Sequence, residues 1–181
     1  MVSPAAAASS EAALFWMHLH EPEYLHVLIA PLLGAGMALG ALLILAGMTW
    51  PKSGASGTGL FLVLVSGAAA FPAIDLGQDA YDRVHDGLGS DPKQWLDVHM
   101  ARAEHAQYFF YAAAVLAAIA LIQAWRARPG SKAWRTAALV CAGLCAALSG
   151  WIAHAGAQVR HEEFREGPPP ASALWILPSK R

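Results

Sequence analysis

The chemistry available to this sequence lies mainly in its eight histidines. His154, Gln158 and His161 are spaced i, i+4 and i+7, so one continuous helix would carry all three on one face. Exposing a histidine to lipid near the end of a membrane helix is costly, which predicts that this face looks inward. With about 1.5 Å of rise per residue, His26, His105 and His154 each fall within about one turn of the outer hydrocarbon boundary, with His99 roughly 9 Å above His105 and His161 roughly 10 Å above His154. Three helices would then supply imidazoles at one level, with a second, wetter level above.

Two chemistries suit that arrangement. A b-type haem needs one or two axial imidazoles facing across a bundle, an apolar slot, and cations for its propionates. His105 and His154 are the leading ligands, with His26 in reserve, and Arg102 and Arg160 are the propionate partners. A zinc or copper site would instead draw three ligands from His26, His99, His105, His154 and His161, with Asp75 or Glu21. The plainer alternative is that these histidines bond carboxylates such as Asp75 and Asp97 and hold helix ends together.

The elements that must position these groups are membrane helices. The chain is 56% hydrophobic and 14% charged, and its apolar residues come in long blocks. Four runs, 25–50, 59–76, 107–125 and 133–157, approach or exceed the roughly 20 residues that span a bilayer. The expected fold is all-α, an integral-membrane antiparallel four-helix bundle. Residues 1–24 would form a flexible or interfacial segment, 25–165 the membrane domain and 166–181 a Pro-rich tail. Gly36-Met37-Ala38-Leu39-Gly40 is a small-xxx-small element suited to close helix packing. Phe71-Pro72 predicts a kink, and the third helix is expected from about Lys93.

Charge orients the bundle. Lys52, Arg126, Arg128, Lys132 and Arg135 fall in the two short loops on one side, with no acid. All 13 acidic residues and all eight histidines fall on the other side. The positive-inside rule puts the basic loops in the cytoplasm and both termini outside, on the periplasmic side of a bacterial inner membrane. Asp75, Asp79, Asp82 and Asp86 would form an acidic stripe, either a solvated face or a docking surface for a cationic periplasmic electron carrier.

Other classes lack their signatures. There is no nucleophile elbow, no Gly-rich nucleotide fingerprint and no Cys-x-x-Cys-His haem attachment. The net charge of −1 and dispersed basic residues give no support for nucleic-acid binding. Cys141 and Cys145, at i and i+4, suit small core residues better than a disulfide.

From about Glu21 to Arg165 the chain resembles a bacterial family of four-span membrane domains of unknown function. The family opens on His-Pro-x-x-Val-His-Phe-Pro; here the stretch is Glu21-Pro22-Glu23-Tyr24-Leu25-His26-Val27-Leu28, with Glu21 in place of the first histidine. Phe71-Pro72 through Gly77-Gln78-Asp79-Ala80 is similar to its middle portion. Gly156-Ala157-Gln158-Val159-Arg160-His161-Glu162-Glu163-Phe164-Arg165 resembles its Gly-Gly-Gln-Ile-Arg-His-x-Glu-Ile-Arg ending. Relatives of that domain occur joined to Rieske or c-type cytochrome domains, so the resemblance implies electron transfer at the outer face. The leading expectation is a small haem b subunit passing electrons between the quinone pool or a membrane partner and a periplasmic carrier. The competing one is a non-catalytic accessory subunit of a larger membrane complex.

Overall fold

The computed structural model describes residues 4–126 and 130–168. Arg128 and the tail from Pro169 onward, including the apolar 174–177 segment, lie outside the described residues. Five α-helices follow in order: α1 Pro4–His18, α2 Pro22–Thr49, α3 Ala55–Asp86, α4 Ser90–Trp125 and α5 Ser131–Arg160. No strand occurs among the described residues. Helices α2 to α5 are each long and apolar enough to cross a membrane, which makes this a multi-pass membrane protein.

Local chemistry sets the boundaries. Pro22 occupies the first turn of α2, where its missing N–H costs nothing. Trp50-Pro51 ends α2, and Gly54 (φ 71°) and Gly130 (φ 93°) provide the left-handed residues that start α3 and α5. Helix α3 runs on through Pro72 and the acidic segment for 32 residues, and α4 begins at Ser90, three residues before the expected start, for 36 residues. At about 1.5 Å per residue, α3 and α4 exceed a hydrocarbon core of about 30 Å, so the polar turns beside their connection extend beyond it.

The helices alternate in direction. Each packs on its neighbours in sequence, and α5 closes on α2. Water-driven burial does not hold membrane helices together, so close backbone approach must do so. Between α2 and α3 the expected small-residue seam is used in full. A Cβ added at Gly36 would stand 1.9 Å from Ser66 Oγ, one at Gly40 3.0 Å from the Gly59 carbonyl, and one at Gly47 2.1 Å from the Ser56 nitrogen. Ser56 Oγ donates to the Ile44 carbonyl at 3.2 Å across this seam. Gly67 lets α3 reach the Phe110 carbonyl of α4, and Gly34 lets α2 reach Ser149 of α5. Ala113, Ala117, Ala120, Ala138, Ala142 and Cys145 are fully buried in the same core. Both cysteines are free.

Within the N-terminal segment, Pro4–His18 is helical. Helix α1 docks through its last turn: His18 bonds Glu21 at 3.1 Å and stacks on Tyr24. Leu14, Phe15, Trp16 and Met17 remain exposed.

The chain leaves α5 through a built cap. Arg165 donates from Nε to the Gln158 carbonyl (2.8 Å) and from Nη2 to that of Val159 (3.1 Å), while Gln158 Nε2 donates to the Phe164 carbonyl (3.1 Å). These bonds partner carbonyls that the helix end leaves without donors. Arg165→Ala should therefore lower stability by about 1.5–3 kcal/mol, the range for hydrogen bonds to charged groups. Thermal unfolding in detergent, followed by helical circular dichroism, checks it.

Candidate functional site

Two histidines meet inside the end of the bundle that carries the α3–α4 connection, and they are His26 and His99. Their ring centres are 6.2 Å apart and their planes stand at 89°. His26 sits on the second turn of α2, and its Nδ1 lies 2.7 Å from the Ala73 carbonyl of α3. His99 sits in the first third of α4, and its Nδ1 lies 3.0 Å from the Ile152 carbonyl of α5. A carbonyl only accepts, so Nδ1 carries the proton in both rings and each neutral ring keeps its Nε2 lone pair.

The two placements are built alike. His26 bonds the carbonyl of Ala73 and packs on Gly77, four residues later. His99 bonds the carbonyl of Ile152 and packs on Gly156, also four residues later. A Cβ at Gly77 would stand 3.1 Å from Nδ1 and Cε1 of His26, and one at Gly156 3.0 Å from Nδ1 of His99. In each case the ring edge bearing Nδ1 is turned to the helix, and Nε2 lies farther from it. Each hairpin, α2–α3 and α4–α5, thus presents one imidazole from the same kind of cradle.

Both rings line a cavity of about 770 Å³ between the hairpins. Leu33, Gly34, Phe110 and Ala146 line its apolar part; Glu23, Tyr81 and Arg160 line its outer part. Its size falls in the range of about 300–1,000 Å³ usual for ligand pockets. Arg160 has no hydrogen-bond or ion-pair partner among the described residues. The outer ends are tied by Arg83–Glu23 (2.9 Å), Gln78–Glu104 (3.3 Å) and the Tyr81 hydroxyl on Asp97. A broad depression of about 1040 Å³ along α5, between Gly130 and Leu144, holds none of the histidines.

The other expected site residues lie elsewhere. His105 is exposed, and its Nδ1 donates to the Ala101 carbonyl of its own helix at 2.6 Å. His154 is exposed on α5, beside the buried Ala155 and Gln158. His105 and His154 do not line the cavity, where His26 and His99 meet. His161 falls just beyond the end of α5, where the backbone turns extended (φ −112°, ψ 97°), so it leaves the helical face and pairs with Glu163 at 3.0 Å. The Glu163 carboxyl is held below its ordinary range by a backbone hydrogen bond first and by His161 second. Of the face expected to look inward, only Gln158 does so.

Arg102 is likewise occupied. It donates to the Trp151 carbonyl at 2.7 Å and lies 4.3 Å above the Trp151 ring, a cation–π contact that fastens α4 to α5. Of the two expected propionate partners, Arg160 alone lines the cavity. Asp75 is exposed with Asp79, Asp82 and Asp86 on α3, and the backbone of Ala73 takes the His26 bond in its stead. No group of three or more His, Cys, Asp or Glu side chains able to hold a metal ion occurs among the described residues, so the three-histidine zinc or copper site does not form there.

Comparison with protein-family models, curated proteins and solved structures finds no match.

Proposed function

We propose that this protein is a small membrane redox subunit of the four-span family it resembles, holding one b-type haem between His26 and His99. The observation that carries this reading is the perpendicular imidazole pair at 6.2 Å inside an apolar cavity. Two imidazoles gripping one metal at about 2 Å per metal–nitrogen bond place their ring centres on the order of 6 Å apart. Two ligands without a third suit a haem, whose remaining ligands come from its own ring, better than a bare zinc or copper ion.

Such a haem would supply one-electron chemistry. The protein's part is to hold and tune. Each Nδ1–H bonded to a backbone carbonyl fixes its tautomer and raises ligand basicity. Gly77 and Gly156 let the rings seat against the helix backbones, the apolar walls exclude water, and Arg160 would pair with a propionate at the mouth. By the distribution of basic residues, the site lies at the periplasmic end with both termini outside, in a bacterial inner membrane. Electrons would pass between the quinone pool or a membrane partner and a periplasmic carrier, for which the exposed Asp75, Asp79, Asp82 and Asp86 are a complementary surface.

Arg160→Gln is expected to speed haem loss to a scavenging apoprotein by about tenfold, the worth of one charge-assisted hydrogen bond. Unchanged loss would remove Arg160 from the site.

A second reading has its own observation. Both imidazole–carbonyl bonds also pin one helix to the next without any guest. On that reading the protein is an accessory subunit packed in a larger membrane complex. Haem titration of the purified protein separates the two: saturable binding at one haem per chain supports the redox subunit, and no binding supports the pin.

A further inference from the structure

We infer that the side of this cavity between α2 and α5 is an entrance from the bilayer, and that it binds the head of a membrane-dissolved quinol in preference to the quinone. The lining is open on one side only. Its residues on α3 and α4 are buried or half-buried, among them Ala70, Ala73 and Phe110. Its exposed apolar residues, Val27, Pro31, Ala35, Gly150 and Ala153, all belong to α2 and α5. These small or apolar positions lie on two membrane-crossing helices, so the opening faces acyl chains. The closed side carries the outer ties to α4 and the acidic stripe of α3.

The polar groups at this entrance select the ligand by its protons. Ser149 lines the cavity, and its hydroxyl donates to the Cys145 carbonyl at 2.9 Å. Both imidazole N–H groups are committed to backbone carbonyls in the same way. At the depth of Ser149, about 16 Å along α5 from the donor Arg160 at the mouth, the side chain gives its proton to Cys145 and offers a guest the lone pairs of its Oγ. In dry surroundings an acceptor that stays unpaired is costly, so such a site favours a ligand that brings its own donors. A quinol brings two hydroxyls on a planar apolar head and a tail that can stay in the bilayer. The quinone has acceptors alone, and an acyl chain has neither. The inference rests on the haem reading only for what the quinol would approach, because Ser149 remains free to accept when both Nε2 atoms are ligated.

The test uses the full chain in phospholipid nanodiscs with a tritiated short-chain naphthoquinol and, separately, its quinone. Retention of quinol about tenfold above quinone is expected, the size of one hydrogen bond made without competition from water. Ser149→Ala should remove that preference, and Ala153→Trp should block both forms. Ala68→Trp, on the exposed face of α3, should bind as the parent does. Equal retention of the two forms, or full quinol binding by Ala153→Trp or Ser149→Ala, overturns the proposal. Haem absorbance read on the same discs keeps the two ideas apart: quinol selectivity lost with haem retained sinks the entrance alone, and haem absent with quinol selectivity intact sinks the haem alone.

Discussion

Alanine in place of either His26 or His99 is expected to abolish haem retention through purification, whereas His105→Ala and His154→Ala should leave it at the parental level. The contrast follows from geometry. His26 and His99 come from different hairpins and meet at 6.2 Å, so neither has a substitute within reach. His105 is bonded to its own helix and His154 is exposed. Loss of either imidazole would leave a single protein ligand to hold the haem in an apolar slot. The loss should be similar for the two substitutions, because each ring sits in the same carbonyl-and-glycine cradle. Haem-to-protein ratios of the four variants, with circular dichroism to confirm folding, give the answer. Retention in His99→Ala together with loss in His105→Ala would reverse the ligand assignment.

The second large effect concerns the seam between α2 and α3. Gly47→Leu should destabilise the protein by several kcal/mol, at or above the 1–3 kcal/mol typical of overpacking. The obstacle is backbone: a Cβ there would lie 2.1 Å from the Ser56 nitrogen and 2.8 Å from its Cα, so no rotamer change relieves it. The helices must separate, and the Ser56–Ile44 bond across them is lost. Gly143→Ala is the matched control. Nothing lies within 4 Å of its added Cβ, and leaving glycine for alanine inside a helix favours folding by about 1 kcal/mol. Thermal unfolding in one detergent should show Gly47→Leu melting far below the parent and Gly143→Ala at or above it.

The bundle was legible because lipid imposes a strong rule: about 20 apolar residues per crossing, with polar loops between. Gly36 and Gly40 could be assigned to a close seam for the same kind of reason. The histidine pairing was not legible. Depth along a helix can be counted from sequence, but rotation about its axis is set by packing. His99 and His105 are six residues apart and point in different directions, and packing turns His99 toward Ile152 and Gly156. A usable signal was present in Gly77 and Gly156. Glycine inside a helix is unfavourable by about 1 kcal/mol, so each invited the question of what approaches so closely. In the ending Gly156 to Arg165, His161 and Arg160 are the residues with the expected chemistry, whereas Gln158 and Arg165 close α5. Where a helix stops is poorly written in sequence, and His161 lies one residue past that stop.

The most direct test of the His26–His99 centre is the absorption spectrum of the purified protein, supplied with haem and recorded oxidised and then reduced. The account predicts one haem per chain with the sharp, reducible α-band of a low-spin iron held by two imidazoles. A protein that stays colourless after haem titration, or a spectrum of iron with a single imidazole, would contradict it.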